Sequence, residues 1–313
     1  MGGAPIPGAT TARLLSAPIA VRRRRGGPGE SGRTAYLYLL PALIVYTLFT
    51  MLPILQGGLI SLFNWDGVSP MTWVGLGNYL SLCNDPLLLT ALVHSLIYIV
   101  FYALLPVALG LLLVAVMTRT RIRGQAAFRT ALFLPYTLAS VVVAICWRWI
   151  YAPDASLNSL LRLIGLDGLV RPWLGDFFWA IFGIGIAATW VWVGFTMVLL
   201  LAGAQRIPRE LYDAARVDGA GPIQEFFAVT LPGLRYELGV TLLLTVIVAL
   251  RNFELVLVMT RGGPGTSTTT PTLILYLSAF QTGQVGLGAA WGVLITVLIL
   301  AASLMIQRLF DRD

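Results

Sequence analysis

Residues 205–232 read QRIPRELYDAARVDGAGPIQEFFAVTLP, a polar interruption between two long apolar runs. Pro208 suits the first position of a helix, and Arg209 and Glu210 follow in its first turn. Glu210 and Asp213 favour the positive end of the helix dipole. Leu211, Ala214 and Ala215 share one side at i, i+3, i+4 spacing, and the small side chains there permit close approach by another surface. Gly219, Gly221 and Pro222 end that helix. Ile223–Val229 predicts a second short helix, after which Leu231-Pro232 leads into the next apolar run. A chain that merely crossed a bilayer would have no use for such a hairpin.

Working outward, the 313 residues are 58% hydrophobic and 11% charged, where a soluble domain is about 45–50% apolar and about 25% charged. Mean hydropathy is +0.83. This composition predicts an integral membrane protein, and its helical apolar runs predict an all-α one. A membrane-crossing helix needs about 20 apolar residues, and six runs qualify: 36–63, 87–117, 127–151, 178–203, 238–259 and 288–308. Pro41, Pro53, Pro106 and Pro135 fall inside them and predict kinks.

All 21 basic residues are arginine. With the N-terminus inside, sixteen lie in cytoplasmic segments and three, Arg162, Arg171 and Arg261, in outer loops. That asymmetry predicts both termini in the cytoplasm and assigns the net charge of +7 to orientation against the bilayer rather than to nucleic acid. Residues 1–34, rich in Gly, Pro, Ala and Arg, are expected to form a disordered cytoplasmic tail, and residues 35–313 one membrane domain. The outer loops hold Asp66, Asp85, Asp154, Asp167 and Asp176 among Trp65, Trp73, Trp173 and Trp179, aromatics read as interface anchors ahead of a docking surface for an external partner.

Without lysine there is no P-loop and no Schiff base. Cys83 and Cys146 lack metal-ligand or disulfide spacing, and the lone His94 is expected to be packed or hydrogen-bonded. Residues 262–270, GGPGTSTTT, mimic a phosphate loop without its lysine; they are read as a turn-rich outer loop before a partly apolar surface helix over Pro271–Phe280, which either meets an external partner or simply connects.

Asp213-Ala-Ala, three residues, Gly219, nine residues and Val229-x-Leu231-Pro232 resemble the EAA loop of binding-protein-dependent ABC importer permeases, with Asp for Glu and Val for Ile. Leu134-Pro135-Tyr136, Trp73–Tyr79 (WVGLGNY) and Thr260–Pro264 (TRGGP) are similar to its carbohydrate branch. The resemblance covers roughly residues 35–310 and implies six spans in a MetI-like permease fold. It implies that the loop, about 205–233, is a coupling helix seated on a separate ATPase. Glu210, Asp213, Ala214, Ala215, Asp218, Gly219 and Ala220 would make that contact. The chain itself would hold no cofactor, ATP and Mg being bound by the partner ATPase dimer. It also implies a second permease subunit, an extracytoplasmic solute-binding protein and a place in the bacterial plasma membrane. The chain would be a transport subunit rather than an enzyme.

Aromatic faces and a few polar groups in an apolar wall suit a sugar. Trp192 and Phe195 share one face of span four at i, i+3, and serve either a pocket or packing. Arg251 and Glu254, also at i, i+3 in span five, are read as substrate ligands or as an ion pair. By resemblance to the maltose-type permease, Asn252 matches a sugar-contacting position. Two other readings stay open. One is glycerol 3-phosphate or a phosphodiester as cargo, with Arg251 on the phosphate. The other is an ion-coupled secondary transporter, for which Glu254 is the sole mid-span carboxylate.

Overall fold

The computed structural model describes Gly2 and residues 32–119 and 124–310. Most of the expected tail, with Arg22–Arg25, lies outside the described residues, as do Arg121, Arg123 and Arg312; helix α1 (Gly32–Tyr46) begins inside the stretch read as tail. The chain divides into two compact units, 1–53 and 54–313. The first contains α1 and a π-helical turn, Thr47–Met51, with apolar side chains such as Leu43 and Phe49 exposed. Such a surface suits lipid, not water.

The second unit takes in most of α2 (Leu52–Ile60), a short hairpin β1 (Phe63–Asn64) and β2 (Thr72–Trp73), and α3 (Gly77–Asn84). Then come α4 (Pro86–Ile99), α5 (Leu105–Arg119), α6 (Gln125–Thr137), α7 (Ser140–Ile150), α8 (Ser156–Leu163) and the long α9 (Trp179–Ala204). The polar hairpin follows as α10 (Arg209–Val217), α11 (Pro222–Glu225) and α12 (Leu231–Gly233). Then come α13 (Arg235–Leu250), α14 (Glu254–Met259), α15 (Pro271–Tyr276) and α16 (Val285–Phe310). Buried residues form one cluster around Tyr98, Val143, Ile184, Val256 and Leu273. A second surrounds Met197, Leu200 and Leu234 towards the arginine-rich end.

Four helical stretches are long and apolar enough to cross a membrane, Tyr38–Ile60, Pro86–Thr118, Trp179–Ala204 and Val285–Phe310, and the count among the described residues reaches six if two bent pairs are single spans. Four of the predicted spans are therefore right to within about three residues. Spans three and five are corrected. The third is α6 and α7 meeting at 99°. Pro135 lacks the amide that would reach the carbonyl of Ala131, and Thr137 Oγ1 turns back on Leu134 O at 2.7 Å. Leu138 and Ala139 are then extended. The fifth stops at Leu250, breaks over Arg251–Phe253 and resumes as α14. Its entrance is bent too, Pro222–Gly233 meeting α13 at 70°.

Proline also explains most of the π-helical turns. Those at Thr47–Met51, Val100–Leu104 and Phe226–Thr230 each end two residues before a proline, Pro53, Pro106 and Pro232. A proline ring presses on the carbonyl four residues back, and one widened turn relieves that contact without ending the helix. The turn at Leu277–Gln281 has no such proline.

Several sequence-level motifs have structural work. Asn78, in the WVGLGNY stretch, donates to Ser61 O at 2.8 Å and Phe63 O at 2.9 Å, fastening the hairpin. Asp66 and Asp176 accept from the backbone of the residues that follow them, and Asp85 caps α4 through Leu87 N. Arg171 lies over the rings of Trp179 and Trp173. These acids and tryptophans are thus bonded within the chain.

Candidate substrate cavity and coupling loop

The break in span five exposes backbone groups that a helix would satisfy, and hydrocarbon does not tolerate them bare. Threonines satisfy them here. Thr272 Oγ1 donates to Leu250 O at 3.3 Å, and Thr270 Oγ1 donates to Asn252 O at 2.9 Å. Beside the break lies a cavity of about 570 Å³. Tyr102, Tyr136, Trp192, Arg251, Asn252 and Glu254 are in its wall, with Ser140 and Thr272 adding hydroxyls. Four of the five residues singled out from sequence therefore line one space. A smaller hollow of about 360 Å³ is walled by apolar side chains such as Leu109, Leu132 and Trp190 and offers a sugar little to bond.

Phe195 is the fifth, and it stands behind the wall. Tyr136 stacks on it at 4.7 Å and 26°, while Trp192 meets Tyr136 at 5.2 Å and Phe195 at 5.3 Å, both edge to face. Aromatic pairs at these distances hold one another's planes. Tyr136 was present in the Leu-Pro-Tyr motif but unassigned; only the fold of α6 against α9 shows it as part of the cavity.

Arg251 and Glu254 do not pair. No ion pair joins them among the described residues, because the helix ends at Leu250 and the i, i+3 geometry is lost. Both are exposed within the cavity's open side. Asn252 is 5% exposed. Its Oδ1 accepts from Tyr102 Oη at 2.8 Å, and its Nδ2 is buried without a partner. An orphaned buried amide costs free energy and calls for a bonding partner.

The GGPGTSTTT segment forms turns, as read, but the surface placement of the helix after it is corrected. Thr268, Thr269 and Thr270 are 0%, 6% and 1% exposed, and α15 is buried at Pro271, Leu273 and Ile274 rather than lying on the surface. Thr268 Oγ1 donates to Gly263 O and Thr269 Oγ1 to Gly262 O, closing the loop on itself. His94 is hydrogen-bonded, as expected, its Nδ1 lying 2.9 Å from Thr269 O.

At the arginine-rich end, α10 buries none of its nine residues. A helix of that length is below the roughly 12–15 residues that hold alone, so its ends and tethers matter. Asp218 caps it, its amide on Ala214 O, and Gly219 adopts φ +83°. Ala220 N then reaches Ala215 O at 2.9 Å and Gly219 N reaches Arg216 O at 3.0 Å. This is a Schellman end. Arg216 bonds buried Glu225 at 3.1 Å and Asp213 at 3.4 Å, and the carboxylate of Glu225 raises its guanidinium further above its usual range. Tyr212 Oη lies 3.2 Å from Thr230 Oγ1. Across the loop's two roots, Arg206 faces Glu237 at 3.6 Å. Glu210, Asp213, Ala214 and Gly219 are exposed, with Ala215 and Ala220 half-buried, so the surface assigned from sequence stands uncovered. Pro208 lies one residue before the helix rather than in it.

Residues 107–313 match the family of binding-protein-dependent transport system inner membrane components. The chain is 38% identical to the probable ABC transporter permease protein YurN of Bacillus subtilis (strain 168), over 88% of this chain and 95% of that one. It is 33% identical to the trehalose/maltose transport system permease protein MalF of Thermococcus litoralis, over 91% and 96%. The same identity holds for the lactose transport system permease protein LacF of Rhizobium radiobacter, over 79% and 83%. The crystal structure of a bacterial ABC transporter involved in the import of the acidic polysaccharide alginate shares the fold at a TM-score of 0.75 and 24% identity, over 90% of this chain and 96% of that one. The chain thus belongs to the inner-membrane components of binding-protein-dependent ABC transport systems. It is a transport subunit, and its MetI-like helical fold is that of the family.

Proposed function

We propose that this permease carries a neutral di- or oligosaccharide, received from an extracytoplasmic solute-binding protein, through the cavity at the span-five break. One observation carries the reading: Trp192, Tyr136, Arg251, Asn252 and Glu254 converge on one space, and the Nδ2 of Asn252 is buried and unpartnered. Aromatic faces suit the C–H faces of a pyranose, and the planar polar groups suit vicinal hydroxyls. The wall carries one cation and one anion. Phosphate at Arg251 would bring its charge beside Glu254, which disfavours glycerol 3-phosphate. The names of the trehalose/maltose and lactose relatives agree.

The same reading assigns α10 as the coupling helix. It seats on a separate ATPase dimer that binds ATP and Mg, and the chain pairs with a second permease subunit. Both termini are then cytoplasmic. Labelled trehalose, maltose and lactose, supplied to cells with and without the chain's own transport locus, test the cargo. Uptake is expected for one of them, with competition by sugars and none by glycerol 3-phosphate; the reverse competition would overturn it. Asn252→Ala is expected to raise the KM of uptake about tenfold, the cost of losing a buried hydrogen-bond donor, at unchanged chain level in the membrane. Unchanged kinetics would refute the site. Co-purification of a Walker-type ATPase and a second permease with the tagged chain tests the partners.

A further inference from the structure

His94, Tyr98 and Tyr102 stand four residues apart along α4 and the π-helical turn that continues it. Residues at that spacing leave a helix from one face. Each bonds a different point of the span-five side. His94 Nδ1 lies 2.9 Å from Thr269 O, Tyr98 Oη donates to Thr268 O at 3.5 Å, and Tyr102 Oη donates to Asn252 Oδ1 at 2.8 Å. The two tyrosine rings meet edge to face at 6.2 Å. Thr270, in the same loop, donates to Asn252 O and accepts from Leu273 N at the start of α15. Tyr98, Tyr102 and Thr270 are each no more than 2% exposed.

This arrangement bears on which atoms of Asn252 a ligand meets. A primary amide can present a carbonyl acceptor or two N–H donors, and a half-turn about χ2 exchanges them. The Tyr102 hydroxyl takes the oxygen. The nitrogen is buried and has no hydrogen-bond partner in the protein. The backbone of Asn252 lies in a helix break; its N–H still reaches Ala249 O at 3.2 Å, and the hydroxyl of Thr270 holds its carbonyl.

We propose that Tyr102 and Thr270 are positioning residues of the transport site, holding Asn252 so that its N–H donors rather than its carbonyl are offered to the cargo. His94 and Tyr98 keep the 260–270 loop, and with it Thr270, in register. The inference rests on the reading of Asn252 as a cargo contact.

The test is a double-mutant cycle in uptake by cells carrying the complete transporter, with the labelled disaccharide that the unmodified transporter moves. Tyr102→Phe keeps the ring and removes the hydroxyl. It is expected to raise KM about three- to tenfold, the worth of one hydrogen bond, with the maximal rate per chain unchanged. In an Asn252→Ala background the same change is expected to add nothing, because Tyr102 acts through Asn252. A residue that only packed the bundle would lower chain level or maximal rate and would act equally in both backgrounds. Thr270→Val is expected to raise KM likewise and Thr270→Ser to restore it, and this pair carries the test if Tyr102→Phe fails to accumulate. Flat KM in Tyr102→Phe and Thr270→Val, or effects that multiply fully onto Asn252→Ala, would overturn the proposal while leaving the sugar reading standing. An unmodified transporter that moved none of the sugars would overturn both.

Discussion

Gly194→Val should leave almost no folded chain in the membrane. Gly194 lies where α9 crosses α6, and a Cβ there would sit 1.9 Å from Leu132 O and 2.8 Å from Phe133 Cα. Both are backbone atoms, so no rotamer change relieves the clash. Membrane helices associate through close packing at small residues rather than through the hydrophobic effect, so forcing the pair apart removes the attraction itself. Overpacking of well-fitted interiors costs about 1–3 kcal/mol, occasionally more, and a β-branched residue against a carbonyl belongs at the top of that range. The damage would spread to the cavity, because Trp192 and Phe195 flank Gly194 on α9 and Tyr136 stands one turn beyond Leu132 on α6. Size-exclusion profiles of detergent-extracted, tagged chain check this, with Gly57→Val, whose Cβ would meet nothing within 4 Å, as the control. A Gly194→Val chain as abundant, monodisperse and heat-resistant as the control would mean that α6 and α9 do not cross there.

The transmembrane runs were legible because lipid demands long apolar helices, and length alone sets them. The hairpin at 205–232 was legible for a different reason: Gly219, Gly221 and Pro222 have strong local preferences that packing need not supply. What sequence missed lies at breaks inside apolar runs. The run Leu238–Met259 reads as one helix, and only the polar Arg251-Asn252 pair hints at an interruption. The interruption is stable because Thr270 and Thr272, about 20 residues away, bond its carbonyls, and no local pattern encodes that. Thr270 belongs to the 262–270 stretch, whose glycines and hydroxyls read as a turn-rich outer loop. A threonine whose hydroxyl satisfies a backbone carbonyl is at home in an interior, as Thr268–Thr270 are. Tyr102 and Tyr136 were hidden similarly, since an aromatic in an apolar helix looks like core until its neighbours are known. The Arg251–Glu254 pair failed because helical spacing was assumed across a point where the helix stops.

Gly219→Val should abolish most uptake while leaving the chain in the membrane at its normal level. No atom outside the turn stands within 4 Å of a Cβ at Gly219, so bulk is not the obstacle; the obstacle is φ +83°. A left-handed residue other than glycine costs roughly 1–2 kcal/mol, and β-branched residues fare worst there. The strain falls on the bonds that close α10, Ala220 N to Ala215 O and Gly219 N to Arg216 O. If the turn relaxes, the last turn of α10 frays and Arg216 loses its aim at Glu225, so Ala214 and Ala215 no longer present one fixed face. The membrane bundle does not depend on α10, which buries none of its own residues, so folding is spared, while transmission through the proposed coupling helix is not. A graded series separates this mechanism from simple size. Asparagine tolerates the left-handed region better than alanine, and alanine better than valine, so uptake should fall in the order Gly, Asn, Ala, Val, reaching a loss of about tenfold or more for Val on the strain above. Alanine is smaller than asparagine, so an order set by volume would place them the other way. That reversed order, or uptake that ignores position 219 altogether, would show that the left-handed turn does not hold α10 in a place that uptake needs.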